Sequence, residues 1–254
     1  MKLLTLARDL QRRKSRERNA LFVAEGIRTV EELARSPLAG QVEGALLAPG
    51  LDTHARGAEL RGMLVDRGIT IEDVSDAELR GAANTESPQG VLALARIPER
   101  RLETIPDAES LRVLVLDGVQ DPGNVGTILR TAAALGVAAT VALPGTVDLW
   151  NAKVVRSAMG AQFHHCALSA SWDEVAAFRR ERSLALWAAD AAGQPVESLT
   201  PPRRLLLAVG NEGNGLSPQA REQAEMLVSL PISSNIESLN VAVATGILLY
   251  EVRA

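Results

Sequence analysis

Short, uninterrupted apolar runs alternate with helix-like segments from residue 111 to the C-terminus of this chain. Continuous apolar runs of this kind are typical of strands buried on both faces, and strands separated by helices pair in parallel. The predicted strands are Arg112–Leu116, Ala138–Leu143, Leu184–Ala188, Leu205–Val209 and Leu227–Leu230. The predicted helices are Gly123–Leu135, Asn151–Ala158, Trp172–Arg182, Pro218–Ala224 and Ser238–Val252. The pattern therefore predicts an α/β fold with a parallel sheet covered by helices.

The first part of the chain predicts a second, smaller α/β domain. The run LFVAEG and the segment Val42–Ala48 have strand character, and helical spacing follows each of them. The segment Pro98–Ser110 carries two prolines and six charges between apolar strands, which is typical of a linker. The predicted division is an N-terminal domain at 1–97, a linker at 98–110 and a C-terminal domain at 111–254.

Composition excludes several classes of protein. The apolar runs are far shorter than the ~20 residues that a membrane-spanning helix needs. Cys166 is the only cysteine, so the chain has no intramolecular disulfide and suits a reducing cytoplasm. The 254 residues carry a formal net charge of −4, so the overall charge does not indicate a nucleic-acid-binding protein. We expect a cytoplasmic protein without a membrane segment.

The positive charge is nevertheless concentrated near the N-terminus. The segment QRRKSRER contains Arg12, Arg13, Arg16 and Arg18. Two interpretations stay open from the sequence, a solvated helix face and an arm that contacts RNA phosphates.

Three polar motifs each accompany a predicted strand end in the C-terminal domain. They are DPGNVGTILRTA at 121–132, GNEGNGLSP at 210–218 and LPISSNIESLNVAVATGILLYE at 230–251. Polar loops at the ends of parallel strands commonly form one ligand site. In the first motif Asn124 and Arg130 lie about 120° apart around a helix. In the third motif Ser238 is expected to cap the last helix.

These motifs, in this order, resemble those of the SpoU/TrmH branch of the SPOUT methyltransferases. The resemblance implies transfer of a methyl group from S-adenosylmethionine to a ribose 2′-hydroxyl of RNA, without a metal. It also implies a deep trefoil knot in the C-terminal domain, a homodimer, and an N-terminal RNA-binding domain of ribosomal-protein-like fold. The N-terminal domain favours ribosomal RNA over transfer RNA as the substrate.

The resemblance also assigns roles to individual residues. The catalytic positions fall on Arg130, Asn124, Glu212, Ser238 and Asn240. The cofactor contacts fall on Gly210, Leu230 and Leu239, and Arg156 is a candidate RNA contact. Arg130 is either the base or a clamp for the phosphate beside the target ribose, and an ordinary guanidinium stays protonated at neutral pH.

Other functions find less support in the sequence. A transfer-RNA methyltransferase and a non-catalytic RNA-binding or ribosome-assembly factor stay open as alternatives. A dinucleotide fingerprint and a serine-hydrolase elbow are both missing from the sequence. The adjacent residues His164, His165 and Cys166 fall on an expected strand, where they cannot all face one metal ion.

Overall fold

The computed structural model describes residues 2–53, 55–233 and 235–253, which pack as two compact units. The first unit comprises Met1–Glu99 with Trp150–His164, and the second comprises Arg100–Leu149 with His165–Ala254. The described strands are β1 Leu21–Glu25, β2 Val42–Leu47, β3 Ile71–Asp73, β4 Val91–Arg96, β5 Leu111–Asp117, β6 Ala139–Ala142, β7 Cys166–Ser169, β8 Ala185–Pro195, β9 Arg204–Gly210 and β10 Met226–Ser229. The described α-helices are α1 Leu3–Asp9, α2 Arg13–Asn19, α3 Ile27–Arg35, α4 Ala55–Asp66, α5 Asp76–Arg80, α6 Pro122–Ala134, α7 Ala152–Ser157, α8 Trp172–Glu181, α9 Pro218–Gln223 and α10 Val241–Glu251.

The first unit is built on a four-stranded sheet in the order β1-β4-β2-β3. Strand β4 pairs antiparallel with both β1 and β2, and β3 pairs parallel with β2. The central strands are buried because their runs are almost entirely apolar, and helices pack against them. This unit confirms the predicted small α/β domain.

The basic segment comprises the turn after α1 and most of α2. Arg16 is only 4% exposed, and its Nη1 donates hydrogen bonds to the carbonyl oxygens of Leu10 at 2.7 Å and Gln11 at 2.9 Å. A guanidinium enclosed in this way satisfies the end of α1 and cannot reach a phosphate, so the predicted RNA contact is wrong for Arg16. Arg12 and Arg18 are exposed, and their RNA contact stays a prediction.

The segment Trp150–His164 packs with the first unit, although it lies within the predicted C-terminal domain. The ring of Phe22 in β1 packs against the rings of Trp150 and Phe163, with centroid distances of 4.5 Å and 5.9 Å. Arg156 Nη1 lies 3.8 Å from Oε2 of the buried Glu25. Aromatic burial and this ion pair therefore give the segment a packing role, while the RNA contact of Arg156 stays a prediction.

The second unit is a six-stranded parallel sheet in the order β10-β8-β9-β5-β6-β7. This order confirms the predicted parallel α/β sheet. The central strands β5 and β9 pair over seven residues, from Leu111 with Arg204 to Asp117 with Gly210. Their apolar side chains fill a core that continues into the neighbouring strands and α8.

The edge strand β7 was not among the five predicted strands of this domain. His164 and His165 lie in the turn before β7, and only Cys166 belongs to the strand, which corrects the expectation that all three share one. His165 is buried, and its Nε2 lies 2.8 Å from Thr140 Oγ1. Burial, together with the charge of Arg100, lowers the pKa of His165 to about 4, so the ring is neutral at pH 7.

Two further findings concern metals and membranes. Within the described residues, no group of three or more His, Cys, Asp or Glu side chains is arranged to hold a metal ion. None of the helices described at 2–53, 55–233 and 235–253 has the length and apolar character needed to cross a membrane.

Candidate active site

A cavity of about 420 Å³ lies at the carboxyl ends of β9 and β10, against the middle of β8, and is bordered by α10. The three predicted cofactor contacts, Gly210, Leu230 and Leu239, all line this cavity. Three of the predicted catalytic residues, Glu212, Ser238 and Asn240, also line it. The second and third motifs therefore form a single cavity, as the sequence predicts.

The turn of the second motif has a rigid backbone. Asn211 and Gly215 exchange two backbone hydrogen bonds of 2.9 Å, and Gly215 has a φ of +67°. A Cβ atom at Gly210 would lie 2.3 Å from the carbonyl carbon of Gly215, so only glycine fits there. The side chain of Asn211 accepts hydrogen bonds from Gly213 N and Asn214 N and donates to Gly118 O. Asn211 was not singled out by the sequence analysis. The feature that indicates such a residue is an Asn at the start of a Gly-rich turn.

Glu212 connects the second motif to the first. Its Oε1 accepts hydrogen bonds from Asn124 Nδ2 at 3.0 Å and Asp121 N at 3.1 Å, and its Oε2 accepts one from Gln120 N at 3.1 Å. Burial acts to raise the pKa of Glu212, but these hydrogen bonds outweigh it and hold the pKa below the ordinary value of 4.5. The carboxylate is therefore ionised at neutral pH and fixes the loop before α6.

Asn124 in turn connects to the third motif. Asn240 Nδ2 donates to Asn124 Oδ1 at 2.9 Å, and Asn240 Oδ1 accepts from Ala242 N at 2.9 Å and Val243 N at 3.3 Å. Asn240, not Ser238, is thus the N-cap of α10, which corrects the predicted cap. An Asn side chain is an effective cap because its oxygen reaches the first free backbone N–H groups. Ser238 lies in the exposed segment before the helix.

Arg130 lies on the exposed side of α6, outside the residues that line the cavity. Asp121 caps this helix by accepting a hydrogen bond from Asn124 N at 2.8 Å, and Pro122 occupies its first position. No hydrogen bond or ion pair joins Arg130 to another residue in the part of the chain that the structure describes. Its guanidinium is therefore available to an anionic ligand such as a phosphate.

The cavity suits S-adenosylmethionine in size and chemistry. Its volume falls within the roughly 300–1,000 Å³ of small-molecule sites. Apolar side chains form much of the lining, and the carboxylates of Glu212 and Glu237 add negative charge. A sulfonium cation is favoured by negative charge at close range.

Comparisons with known proteins agree with this geometry. The model of the SpoU rRNA Methylase family matches residues 111–250, and that of the MRM3-like substrate binding domain matches residues 5–93. The 23S rRNA (guanosine(2553)-2′-O)-methyltransferase RlmP of Bacillus subtilis is 34% identical over 247 residues, covering 97% of this chain and 94% of that protein.

Two solved structures that contain S-adenosylmethionine (AdoMet) superpose over nearly the whole chain. The SpoU methyltransferase AviRb from Streptomyces viridochromogenes has a TM-score of 0.86 at 26% identity, covering 99% of this chain and 97% of that one. The rRNA methyltransferase from Sinorhizobium meliloti has a TM-score of 0.85 at 26% identity, covering 98% and 93% respectively. From the match over its C-terminal domain and its similarity to RlmP, the chain belongs to the SpoU rRNA methylase family.

Proposed function

We propose that this protein transfers a methyl group from S-adenosylmethionine to a ribose 2′-hydroxyl of ribosomal RNA. The observation that carries the proposal is the hydrogen-bonded chain from Glu212 through Asn124 to Asn240. These hydrogen bonds connect all three motifs beside a cavity that fits the cofactor. Arg130 lies on the same helix as Asn124 and has no partner among the residues that the structure describes.

The cofactor, when bound, supplies a methyl group that the positive charge on sulfur already activates. The residues of the chain then have to hold the ribose in place and stabilise the charge that develops on the 2′-oxygen. Arg130 is suited to clamp the phosphate next to the target ribose, since a guanidinium binds phosphate with two hydrogen bonds and stays charged. A guanidinium is already protonated, so Arg130 would accept the 2′-proton only after it had donated a proton of its own to a substrate phosphate.

Ribosomal RNA is the favoured substrate because two of the matching relatives are named for it. RlmP carries 23S rRNA in its name, and a 23S rRNA methyltransferase, RlmB of Xanthomonas campestris, is 35% identical over 222 residues. The match of residues 5–93 to a substrate-binding domain supports an RNA-binding role for the N-terminal domain. Positive charge there comes from three exposed residues, Arg12 at the N-cap of α2 and Arg13 and Arg18 within the helix.

A homodimer is part of the same proposal. Val243, Ile247 and Tyr250 lie on one face of α10 and are 52%, 41% and 53% exposed. An exposed apolar stripe at helical spacing is typical of a protein interface. A second copy of the chain is the partner that the family resemblance implies.

Three further features complete the proposal. We infer that the C-terminal segment is threaded as a trefoil knot. The strand order, in which β10 lies beside β8, is compatible with this threading. The domains divide at the 98–110 linker, close to the gap between the two family matches. A ribosomal RNA substrate supports the proposal of a cytoplasmic protein.

The test is methyl transfer from labelled S-adenosylmethionine to RNA from a cell that lacks this gene. The labelled RNA is sized, and the methyl group is mapped after nuclease digestion. Label on a ribose of 23S rRNA is the expected result. Label in transfer RNA would overturn the substrate class. The control is a known methyltransferase, which must label the same RNA. If the control labels the RNA while this protein binds the cofactor but transfers no methyl group, the result would favour a non-catalytic factor.

A further inference from the structure

One wall of the cavity is formed by an interruption in the pairing of β8 with β10. Trp187 and Ala188 pair with the start of β10, and pairing resumes only at Gln194 and Pro195. The intervening segment 189–193, which we call the β8 wall, contributes Ala189, Asp190 and Ala191 to the cavity lining. The wall lacks regular pairing with β10, so other contacts must fix its shape.

The far end of the wall is held by backbone packing. Ser229 Oγ donates to Gly193 O at 2.9 Å. A Cβ atom at Gly193 would lie 2.5 Å from the carbonyl carbon of Leu227, so the chain approaches β10 closely at this point. These contacts anchor the residue at the end of the wall but not the residues that face the cavity.

The cavity-facing part is held by an ion pair. Asp190 Oδ1 accepts a hydrogen bond from Ala192 N at 2.9 Å, and Asp190 Oδ2 pairs with Arg221 Nη1 of α9. The side chain of Asp190 is 7% exposed, whereas that of Arg221 is 45% exposed. Helix α9 directly follows the Gly-rich turn of the second motif, so the ion pair connects the wall to the helix that continues from that turn.

Asp190 differs from the other carboxylates that line the cavity. Glu212 is hydrogen-bonded to Asn124 of the first motif, and Glu237 lies in an exposed segment. Asp190 is buried and uses both oxygens to hold protein groups, one within the wall and one on α9. A buried carboxylate without its cation is unfavourable, so loss of Arg221 should displace Asp190 and the wall with it.

We propose that Asp190 is a positioning residue for S-adenosylmethionine, because its pair with Arg221 fixes the β8 wall against the turn of the second motif. The inference rests on the proposed function, since it takes that cofactor as the ligand of the cavity. Asp190 acts through the shape of the wall and not through its charge on the ligand. Ligands with and without the sulfonium charge should therefore depend on it equally.

The experiment measures the dissociation constants of S-adenosylmethionine and S-adenosylhomocysteine, which lacks the sulfonium charge, by calorimetry on the full chain. The variants are Asp190→Asn, Arg221→Gln, their double variant and Arg221→Lys. Glu222→Gln, which removes an exposed charge from the same helix, is the matched control. Thermal unfolding without ligand identifies any variant that fails to fold.

We expect Asp190→Asn and Arg221→Gln each to weaken both ligands about tenfold, and by the same factor for each ligand. The double variant should be no weaker than either single variant, and Arg221→Lys should bind nearly as tightly as the wild type. In turnover, KM for S-adenosylmethionine should rise, while kcat and KM for RNA stay unchanged.

Unchanged binding by folded Asp190→Asn protein would overturn the inference. Weakening of S-adenosylmethionine alone would also overturn it, because Asp190 would then act on the sulfonium charge. Fully additive effects in the double variant would show that the two residues act separately, against the proposal. A wild-type protein that binds neither ligand would instead refute the proposed function, so the two failures are distinguishable.

Discussion

Glu212→Gln is the substitution that tests the hydrogen-bonded chain between the motifs most directly. Glu212 accepts three hydrogen bonds, two at Oε1 from Asp121 N and Asn124 Nδ2 and one at Oε2 from Gln120 N. A glutamine offers only one oxygen, so its amide nitrogen must face at least one of these donors. A hydrogen bond to a charged group contributes about 1.5–3 kcal/mol, and partial exposure favours the lower part of that range. We expect a loss of about 2 kcal/mol, or about 30-fold in kcat/KM.

The assay is methyl transfer to the identified RNA at varied RNA concentration and saturating cofactor. Glu222→Gln removes one exposed carboxylate outside the network and serves as the control. Because the pKa of Glu212 lies below its ordinary 4.5, the ionised network persists at neutral pH and is lost only as the pH falls through that lowered pKa. Activity of Glu212→Gln within about twofold of the wild type would refute the role of this network.

Four further predictions concern separate parts of the molecule. Arg130→Ala should reduce methyl transfer at least about 100-fold without changing cofactor affinity, and retained turnover would refute its role. Between pH 6.5 and about 4, His165 takes up a proton in the unfolded chain but not in the folded one, so the free energy of unfolding should fall by roughly 3 kcal/mol as the pH is lowered. In denaturant unfolding at a series of pH values, His165→Gln should reduce this dependence on pH. The same dependence in the variant as in the wild type would refute the prediction. Ile247→Glu should convert the proposed dimer to a monomer in sedimentation, and an unaltered dimer mass would place the interface elsewhere. Replacing Arg12 and Arg18 with Gln should reduce the salt slope of RNA binding by about 1 for each lost phosphate contact, and an unaltered slope would favour the solvated-face interpretation.

Much of the second unit could be predicted from the sequence because its signals are local. Each central strand is a continuous apolar run of the kind that is buried on both faces. The bounds of these strands agree with the predicted bounds to within a residue or two, except for β8, which is longer. The loop motifs could also be assigned to one site, since parallel strands bring their carboxyl ends to the same edge. The individual cofactor contacts Gly210, Leu230 and Leu239 came from the family resemblance, and all three line the cavity.

The remaining features depend on contacts that form only when the elements pack together. Arg16 and Arg18 have the same side chain two positions apart, but only Arg16 meets the free carbonyls at the end of α1 and becomes buried. Asn240 takes the capping position because its amide also reaches Asn124, 116 residues earlier. The partner of Asp190 lies on a helix beyond the next strand. Local propensity and periodicity carry no information on such pairings, because the free energy that selects them comes from burial and hydrogen bonding in the assembled fold.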